Sequence, residues 1–571
     1  MKMSTQETPS KRPQILTVST YFICSAYTPL IMSDVKPVES APIVATQPDA
    51  IVSREEFQRM LQDLPPWYKD AKRLKLYLLL IAPLLTSTAT GFDISMSNGL
   101  QSVEYFMENF GHPSGSTLGF YGASMSIGGL VGAVLGSKMS DWFGRRVMVV
   151  VGAAIIFGSA FMQTFAPTFA VFVAGKLILG IGSALQQMSA PILVTELAHP
   201  KERITVSSFY NTNIFLGLII GSWITFGTHT IPSQWSWKLP CILQAAIPSY
   251  QIVMTWFCPE SPRWLMVRGR IQEAQDILVR YHGSTDMGAD DPVVHTEMQE
   301  ILAGIEADKT QIRFNKEGLK SIFGSKGNRH RLFIAMIVAI GSQTLGSNFI
   351  SVYLPLIMDQ IGMTSSKEKT LMNAIMSILN WLTALVCVAT IHRMRRRLLF
   401  LTSLGGMTGA FIVWTALTAQ YVESLQPAYG KGVLAMIFVF NVFSAICWIP
   451  MVIAYPLECI TTKQRGVFFA FVFFCISGSS SVATYIGPPM LEALGWKTYV
   501  IQICYNAVIW VIIFFTFVET KGMTLEEVAG IFDGFDSLDS AQAVAQDKLR
   551  QVEKQAAQLE EVDHMEGGAA K

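Results

Sequence analysis

Apolar runs of roughly 20 residues recur along the chain, and short polar loops separate them. About 20 helical residues cross a bilayer core, where only helices and closed barrels satisfy their own backbone hydrogen bonds. Of all residues, 51% are hydrophobic and only 15% are charged, whereas soluble domains typically carry about 25% charged residues. The sequence therefore predicts an all-α membrane protein.

Twelve of these runs are predicted to form transmembrane helices, in two six-helix halves at 76–258 and 331–518. The runs lie at about 76–96, 117–138, 147–166, 169–194, 207–228, 238–257, 331–358, 370–391, 398–419, 432–456, 466–490 and 496–517. Each half closes on a related phrase, PESPRWL at 259–265 and VETKGMTLEE at 518–527. The chain therefore repeats after about 260 residues, far more than a solenoid period.

The segment between the halves, 259–330, is strongly charged. Its stretches 270–274 and 297–305 have amphipathic spacing, so we expect helices that lie against the ends of the bundle. Clusters of Lys and Arg precede the first span and follow the second, fourth and eighth spans, whereas the loop at about 97–116 has none. This distribution places the central segment and both termini in the cytosol, and we expect the plasma membrane.

The two ends of the chain are predicted to be cytosolic tails, 1–75 and 519–571. The first tail is rich in Pro, Ser, Thr and Gln, which favours disorder. Its apolar stretch 15–33 leaves a further span or a signal sequence open. The second tail is predicted to form a short amphipathic helix after Gly534.

Charge and motif content exclude several function classes. The net charge is +1, and no basic block is present that could hold a nucleic acid. The eight cysteines show no paired spacing, so we expect neither a structural disulfide nor a metal. No cluster of nucleophile, base and orienting group is evident, so we expect no enzymatic activity and no cofactor. We expect a monomer in the lipid bilayer.

Charged motifs recur at the predicted cytosolic ends of the helices. An acid precedes an arginine by seven residues in both halves, at Glu196 and Arg203 and again at Glu458 and Arg465. Topology signals explain the arginines but not acids at membrane depth. We predict a network of ion pairs that break and re-form as the two halves rock. Its members are Asp141, Arg145, Arg146, Glu196, Arg203, Glu260, Arg263, Arg396, Arg397, Glu458, Arg465 and Glu519.

Five motifs, in this order and spacing, resemble the sugar-porter branch of the major facilitator superfamily. They are DWFGRR, ELAHPKER, PESPRWL, YPLE and ETKGMTLEE, which begin at residues 141, 196, 259, 455 and 519. Within the resemblance, the stretches at 91–101, 112–119 and 448–458 are most similar to the fungal lactose permease and hexose transporter group. The resemblance implies a proton-coupled transporter of a disaccharide or hexose that works by alternating access.

Asp93 in the first span and Lys176 in the fourth are ionisable groups within apolar runs, where a charge is costly. The corresponding residues of the family are an Asp and an Arg that couple proton uptake to sugar binding, so the resemblance implies this role for the pair. Lysine differs from arginine because it can lose its proton when desolvated. A static structural ion pair is the alternative.

Polar side chains in other spans are candidate sugar ligands, because a hydroxyl-rich molecule needs amides and flat aromatic faces. The candidates are Asn211 in the fifth span, Gln343 in the seventh, and Asn441 and Trp448 in the tenth. The resemblance supports Asn211, which lies where the family has a sugar-binding Gln or Asn, and Gln343, which lies in a seventh-helix motif. Hydrogen bonding between helices is the alternative for each.

Two departures from the family pattern affect function. The eleventh span usually has two asparagines before its proline, but Ala483 and Gly487 stand there, before Pro488. The second-half loop has His392 where the family has an aspartate. The lost amides remove partners for sugar hydroxyls, so a transporter-like sugar sensor and an exporter of a non-sugar metabolite remain as alternatives.

Overall fold

The computed structural model describes residues 59–61, 64–283, 291–309, 323–390, 394–460, 465–521, 523 and 525–533. Within these ranges the regular structure is helical and contains no strand. The apolar stretch 15–33 and the helix predicted after Gly534 lie outside them.

The helices follow one another in three groups. The N-terminal half consists of α1 (Ala71–Leu100), α2 (Glu104–Asn109), α3 (Gly115–Phe143), α4 (Arg145–Thr164), α5 (Phe169–Leu197), α6 (Arg203–Thr228), α7 (Trp235–Leu243) and α8 (Ala246–Trp256). The central segment consists of α9 (Pro262–Val267), α10 (Ile271–His282) and α11 (Pro292–Lys309). The C-terminal half consists of α12 (Lys326–Thr344), α13 (Ser347–Gln360), α14 (Ser366–Thr390), α15 (Arg396–Ser424), α16 (Pro427–Cys459), α17 (Arg465–Leu494) and α18 (Lys497–Thr516), followed by α19 (Leu525–Asp533).

Eleven spans in the described residues are long and apolar enough to cross a membrane, with α12 and α13 forming one of them. The predicted sixth span is broken into α7 and α8 at Gln244 and Ala245. Pro248 explains the break, because proline has no N–H for the carbonyl of Gln244 and its ring crowds that carbonyl. With this broken span, the predicted fold of twelve helices in two six-helix halves is confirmed.

A second break divides the seventh span at Leu345 and Gly346. Gly346 has φ +107°, and a Cβ there would lie 2.8 Å from the Phe411 ring, so both the backbone conformation and the packing favour glycine. The predicted boundary of the first tail also needs correction. The helix α1 already begins at Ala71, where Asp70 accepts hydrogen bonds from the backbone N–H groups of Lys72 and Arg73.

The described parts of the central segment, 259–283 and 291–309, are largely helical, as the amphipathic spacing predicted. Its helices pack on one another through a small apolar cluster of Leu265, Met266, Ala274, Leu278 and Val294. Beyond the last span, α19 is tied to the start of α12 by an ion pair of 2.7 Å between Asp533 and Arg331.

The two halves meet at the end of the bundle opposite the charged loops. There Asn98 Nδ2 donates to the Ser351 carbonyl oxygen at 2.6 Å, and Gln101 Nε2 donates to the Val352 carbonyl oxygen at 2.8 Å. Glu492 of α17 accepts a hydrogen bond of 2.6 Å from the backbone N–H of Gly115 at the start of α3. This end of the bundle is therefore closed by direct contact between the halves.

Candidate functional site

Asp93 is buried in α1, with 2% of its surface exposed. Its Oδ1 accepts a hydrogen bond of 2.6 Å from Nε2 of Gln244, which stands at the break between α7 and α8. Its Oδ2 is buried and has no hydrogen-bond partner among the described residues. The break in the sixth span therefore brings an uncharged donor to one oxygen of the acid, and the other oxygen receives no hydrogen bond from the described residues.

Lys176 is buried in α5, and its Nζ lies 3.6 Å from the centroid of the Tyr121 ring. This is a cation–π contact, which gains strength when it is shielded from water. Tyr121 is itself fixed, because its hydroxyl donates to the Ser97 carbonyl oxygen at 2.9 Å. Within the described part of the chain, no ion pair within 4 Å joins Lys176 to Asp93. The coupling role of the two residues stays a prediction.

The predicted sugar ligands occupy different environments. Gln343 is half-buried at the end of α12, beside the break, and its Nε2 contacts the Ser342 hydroxyl at 3.1 Å. Asn441 is buried and donates to the Ile437 carbonyl oxygen of its own helix at 2.9 Å. The sequence predicted either a sugar contact or a hydrogen bond between helices for Asn441, and this bond within one helix is neither of them. The second N–H of its amide can still donate to another group.

Trp448 packs edge to face on Phe400, with the ring centroids 5.2 Å apart. Its Nε1 is buried without a hydrogen-bond partner in the described ranges. Buried indole N–H groups normally find an acceptor, so this donor is a candidate ligand contact. Asn211 belongs to α6, and its side chain lies outside the described part.

Two consecutive glutamines in α5 were not among the predicted site residues. Gln186 is fully buried and binds the Gln251 side chain at 3.1 Å, which ties α5 to α8. Gln187 is only half-buried, and its Nε2 contacts the hydroxyls of Ser183 at 3.0 Å and Thr90 at 3.3 Å. Two adjacent amides in an apolar span were the sequence signal that could have identified these residues. In the structure, Gln186 joins two helices, whereas Gln187 is the more accessible of the two.

The missing asparagine at Gly487 has a steric explanation. A Cβ at this position would lie 2.9 Å from the Phe349 ring and 3.2 Å from Cε2 of Tyr353. The Tyr353 hydroxyl donates to the Thr484 carbonyl oxygen at 2.8 Å and is 3.4 Å from the Leu118 carbonyl oxygen of the other half. Aromatic packing at the closed end therefore takes the space that an amide would need.

A cavity of about 590 Å³ opens between α3, α5 and α17. It is lined by Ser116, Thr117, Phe120, Phe169, Ala170, Val173, Ala174, Leu177 and Tyr485. These residues include none of the predicted sugar ligands, so this apolar cavity is separate from the predicted sugar cleft.

The N-terminal charge cluster joins three segments. Arg145 forms ion pairs of 2.9 Å with Asp141 and 3.8 Å with Glu196. The Glu260 carboxylate accepts hydrogen bonds from the backbone N–H groups of Arg145 at 3.1 Å and Arg146 at 3.2 Å, so it caps the start of α4. Burial raises the pKa of Asp141 to about 6, although Arg145 opposes this shift. We call this cluster the first clasp.

The C-terminal half repeats this arrangement. Arg396 forms an ion pair of 3.3 Å with Glu458. The Glu519 carboxylate accepts from the backbone N–H groups of Arg396 at 2.8 Å and Arg397 at 3.2 Å, so it caps the start of α15. We call this cluster the second clasp. The sequence repeat therefore places an acid on the first turn of an equivalent helix in each half.

A hydroxyl completes each clasp. Ser261 donates to Glu196 in the first clasp, and Thr520 donates to Glu458 at 2.6 Å in the second. Beyond the clasps, Arg263 of α9 lies beside Gly304 of α11. His392, the departure in the second-half loop, is outside the described residues, as is the side chain of Arg465 at the start of α17. The proposed gating by these ion pairs stays a prediction.

Arg203 contacts the central segment, where its Nη2 lies 2.9 Å from Glu297 of α11. His282 of α10 lies between two acceptors, with Nδ1 2.6 Å from Glu297 and Nε2 3.0 Å from the Leu197 carbonyl oxygen. Burial alone would raise the pKa of Glu297, but His282 and Arg203 lower it below its usual value. His282 therefore links Glu297 of α11 to the end of α5.

His199 is a second buried histidine, and its ring centroid lies 5.2 Å from that of His282. Its Nδ1 lies 3.2 Å from the backbone nitrogen of Lys201, whose N–H it accepts when the ring is uncharged. The same nitrogen lies 3.3 Å from Glu202, which in turn binds Arg73 and Tyr77. Burial lowers the pKa of His199, and the neighbouring His282 lowers it further, although Glu202 opposes both.

Acidification is therefore expected to loosen α10 and α11 from the bundle. The docked state holds His199 with a pKa below its ordinary value of 6.5, so the undocked state binds the proton more readily as pH falls below that value. Loss of the charge on Glu297 adds to the effect only below about 4.5, its ordinary pKa. Amide hydrogen exchange of the two helices, compared at about pH 7.5 and 5.5 and corrected for intrinsic rates, measures the change.

His199→Gln removes the titrating group, so exchange in α10 and α11 should become insensitive to pH in that range. His295→Gln is the matched control, because His295 is exposed on α11. An unchanged pH response in His199→Gln would contradict the expectation.

Two equivalent six-helix halves that touch at one end, with a buried acid and a buried cation inside the first, define a transporter of the major facilitator superfamily. A family model described as "Sugar (and other) transporter" matches residues 79–532. The chain belongs to this sugar-porter family.

Curated relatives agree with this assignment. The chain is 25% identical over 451 residues to the MFS-type transporter criB of Aspergillus cristatus, a match that covers 78% of this chain and 91% of that protein. It is 24% identical over 471 residues to the high-affinity glucose transporter of Kluyveromyces lactis, covering 79% and 84%. It is also 27% identical over 473 residues to hexose transporter 2 of Kluyveromyces lactis, covering 78% and 80%.

The fold is shared with solved structures of the xylose transporter XylE from E. coli. The inward open conformation matches with a TM-score of 0.65 and 22% identity, covering 80% of this chain and 99% of that one. The proton:xylose symporter XylE bound to 6-bromo-6-deoxy-D-glucose matches with a TM-score of 0.62 and 23% identity, covering 80% and 99%.

Proposed function

We propose that this protein is a proton-coupled transporter of a hexose or disaccharide in the plasma membrane. The environment of Asp93 carries the proposal, because the acid is buried, one oxygen is held by an uncharged amide, and the other has no partner in the described part of the chain. A carboxyl in such a site favours the neutral form and can bind a proton. Relatives named as glucose and hexose transporters support a sugar as the substrate.

Alternating access is supported by the asymmetry of contacts between the halves. Asn98, Gln101 and Gly115 join the halves at one end, whereas the ion pairs of Arg145 and Arg396 each stay within one half. The excess of Lys and Arg assigns the clasp end to the cytosol. With that orientation, the end at which the halves meet would face outward, and transport would require the contacts there to open.

The sugar would bind between the halves, near the break in the seventh span. Gln343 precedes that break, and Trp448 presents an indole N–H without a partner among the described residues. A sugar hydroxyl could accept from this N–H, and the Gln343 amide offers a donor and an acceptor. Because Gln343 lies in the last turn of α12, two residues before the break at Leu345 and Gly346, ligand binding there would bias the angle between α12 and α13.

Uptake of labelled glucose, lactose and cellobiose by transporter-deficient cells tests the proposal. We expect saturable uptake of at least one sugar that rises as the external pH falls. Absence of flux for all three sugars, with normal amounts of protein at the cell surface, would overturn it.

Gln343→Leu is expected to raise the half-saturation concentration of the transported sugar by about tenfold, since one good hydrogen bond to a ligand is worth roughly 1–1.5 kcal/mol. Gln420→Leu is the matched control, because Gln420 is exposed on α15 and is not among the predicted sugar ligands, and we expect less than about a threefold change. Equal effects of the two substitutions would show that Gln343 has no special role in binding.

The loss of amides at Ala483 and Gly487 favours one alternative substrate class, a less polar metabolite. Phe349 and Tyr353 fill the space beside Gly487, so this part of α17 presents few groups to sugar hydroxyls. The uptake experiment distinguishes the two substrate classes, since a transporter of a non-sugar substrate would take up none of the labelled sugars. A sugar sensor would instead bind sugar and produce a signal with little flux.

A further inference from the structure

We infer that Tyr121 and Gln244 are positioning residues that hold the coupling cation and the coupling acid on separate, uncharged partners. The inference rests on the proposed proton coupling by Asp93 and Lys176. In this scheme Lys176 contacts either the Tyr121 ring or the Asp93 carboxylate. Asp93 keeps the Gln244 amide as its partner in both cases. Neither Tyr121 nor Gln244 gains or loses a proton.

The contact on the cation side is well defined. Lys176 is 4% exposed, and its Nζ lies 3.6 Å from the centre of the Tyr121 ring. The ring is held on one side by the hydrogen bond to the Ser97 carbonyl oxygen and on the other by aromatic contacts with Phe169 and Phe172, at centroid distances of 5.9 and 6.0 Å. The ring therefore offers a fixed face to the ammonium group.

On the acid side, Gln244 donates to Oδ1 of Asp93 at 2.6 Å. An amide N–H can donate to a carboxylate and equally to the carbonyl oxygen of a protonated carboxyl group. This hydrogen bond can therefore persist when Asp93 binds a proton. An ion pair with an ammonium group would oppose proton binding, because it stabilises the charged carboxylate. With Lys176 on Tyr121, Oδ2 of Asp93 is open to accept the proton.

These contacts explain why lysine can stand where the family has arginine. An ammonium group is a compact charge on a flexible stem, so it can move between a ring face and a carboxylate. A guanidinium group also stacks on aromatic faces, but its rigid fork matches a carboxylate at two points, which would hold it on Asp93. When Asp93 loses its proton, Lys176 would leave Tyr121 and pair with the carboxylate, and protonation would return it. Among the described residues, the Cys241 thiol also interacts electrostatically with both Asp93 and Lys176.

The test compares substitutions at Tyr121 in the full-length protein reconstituted in liposomes. Tyr121→Phe keeps the ring, and Tyr121→Leu removes it. We expect Tyr121→Phe to retain accumulation driven by a proton gradient within about threefold, since the π face is preserved. We expect Tyr121→Leu to lower the ratio of internal to external sugar nearly to one, while sugar exchange without a gradient changes by less than about threefold. Equal accumulation by both variants would overturn the inference.

Gln244→Glu is a second test that conserves side-chain shape and does not depend on how Tyr121→Leu folds. It places a second carboxyl beside Asp93, and two carboxyls that share one site bind a proton at higher pH than one alone. We expect half-maximal accumulation to move toward alkaline pH by about one unit. An unchanged pH profile would show that Gln244 does not contact the proton-binding group.

Wild-type behaviour separates this inference from the function on which it rests. If wild type exchanges sugar but never responds to a proton gradient, the proposed coupling is wrong and the inference fails with it. If wild type is driven by protons and both tests give the contrary result, only the positioning roles are wrong.

Discussion

Asp93→Asn is expected to abolish accumulation of sugar against a gradient and to leave exchange down the gradient intact. The substitution removes the carboxyl that binds the proton, but it leaves the predicted sugar ligands in place. A pH difference of one unit is worth about 1.4 kcal/mol and can drive about tenfold accumulation. In liposomes with such a gradient, the ratio of internal to external sugar should fall from about ten to about one.

Lys176→Arg is the companion variant for this experiment. It preserves a cation in α5, so accumulation should persist. Arginine cannot give up its proton as lysine can, so the dependence of accumulation on pH should change. If Asp93→Asn still accumulates sugar as wild type does, Asp93 is a structural residue that holds α1 to the α7–α8 break through Gln244.

The number of helices and their arrangement in two halves could be predicted because apolar length and repeated motifs determine them. The breaks at Gln244 and Gly346 could not be predicted in the same way. Gln244 lies in a mostly apolar stretch, where a break changes the direction of the backbone without changing hydropathy. The sequence around Gly346 turns polar (GSQTLGSN at 341–348), but small and polar residues also hold unbroken spans together. Pro248 was visible in the sequence, but its effect falls on the carbonyl group four residues earlier.

In the candidate site, too, the sequence was enough to identify the residues but not their contacts. Asp93 and Lys176 could be identified because a charge in an apolar run is costly. Their contacts could not, because Gln244 lies 151 positions from Asp93 and its amide resembles many others in the spans. The clasp acids likewise stood out in the motifs. Their role as caps on the backbone N–H groups of Arg145 and Arg396 depends on three-dimensional packing that spacing alone does not encode.

Gly119→Leu is expected to prevent closure of the end at which the halves meet. A Cβ at Gly119 would lie 2.3 Å from the backbone carbonyl oxygen of Tyr485 in α17, and no side-chain rotation can relieve that overlap. Overpacking of this kind costs roughly 1–3 kcal/mol or more. A cost near 3 kcal/mol shifts a two-state equilibrium by about 100-fold toward the state open at that end. Uptake should then fall by more than about tenfold, because alternating access needs both states.

Gly129→Leu on the same helix is the matched control, because a Cβ there would meet no atom within 4 Å. It adds the same side chain to α3 without touching the other half, so uptake should stay close to wild type.

The change of state can be measured in a Ser126→Cys background, since the Ser126 hydroxyl lies 3.1 Å from that of Ser480 across the contact between the halves. An impermeant thiol reagent added from the side opposite the clasps should label this cysteine faster with Gly119→Leu than with Gly129→Leu. Equal labelling and equal uptake in the two variants would show that the α3–α17 contact does not limit transport.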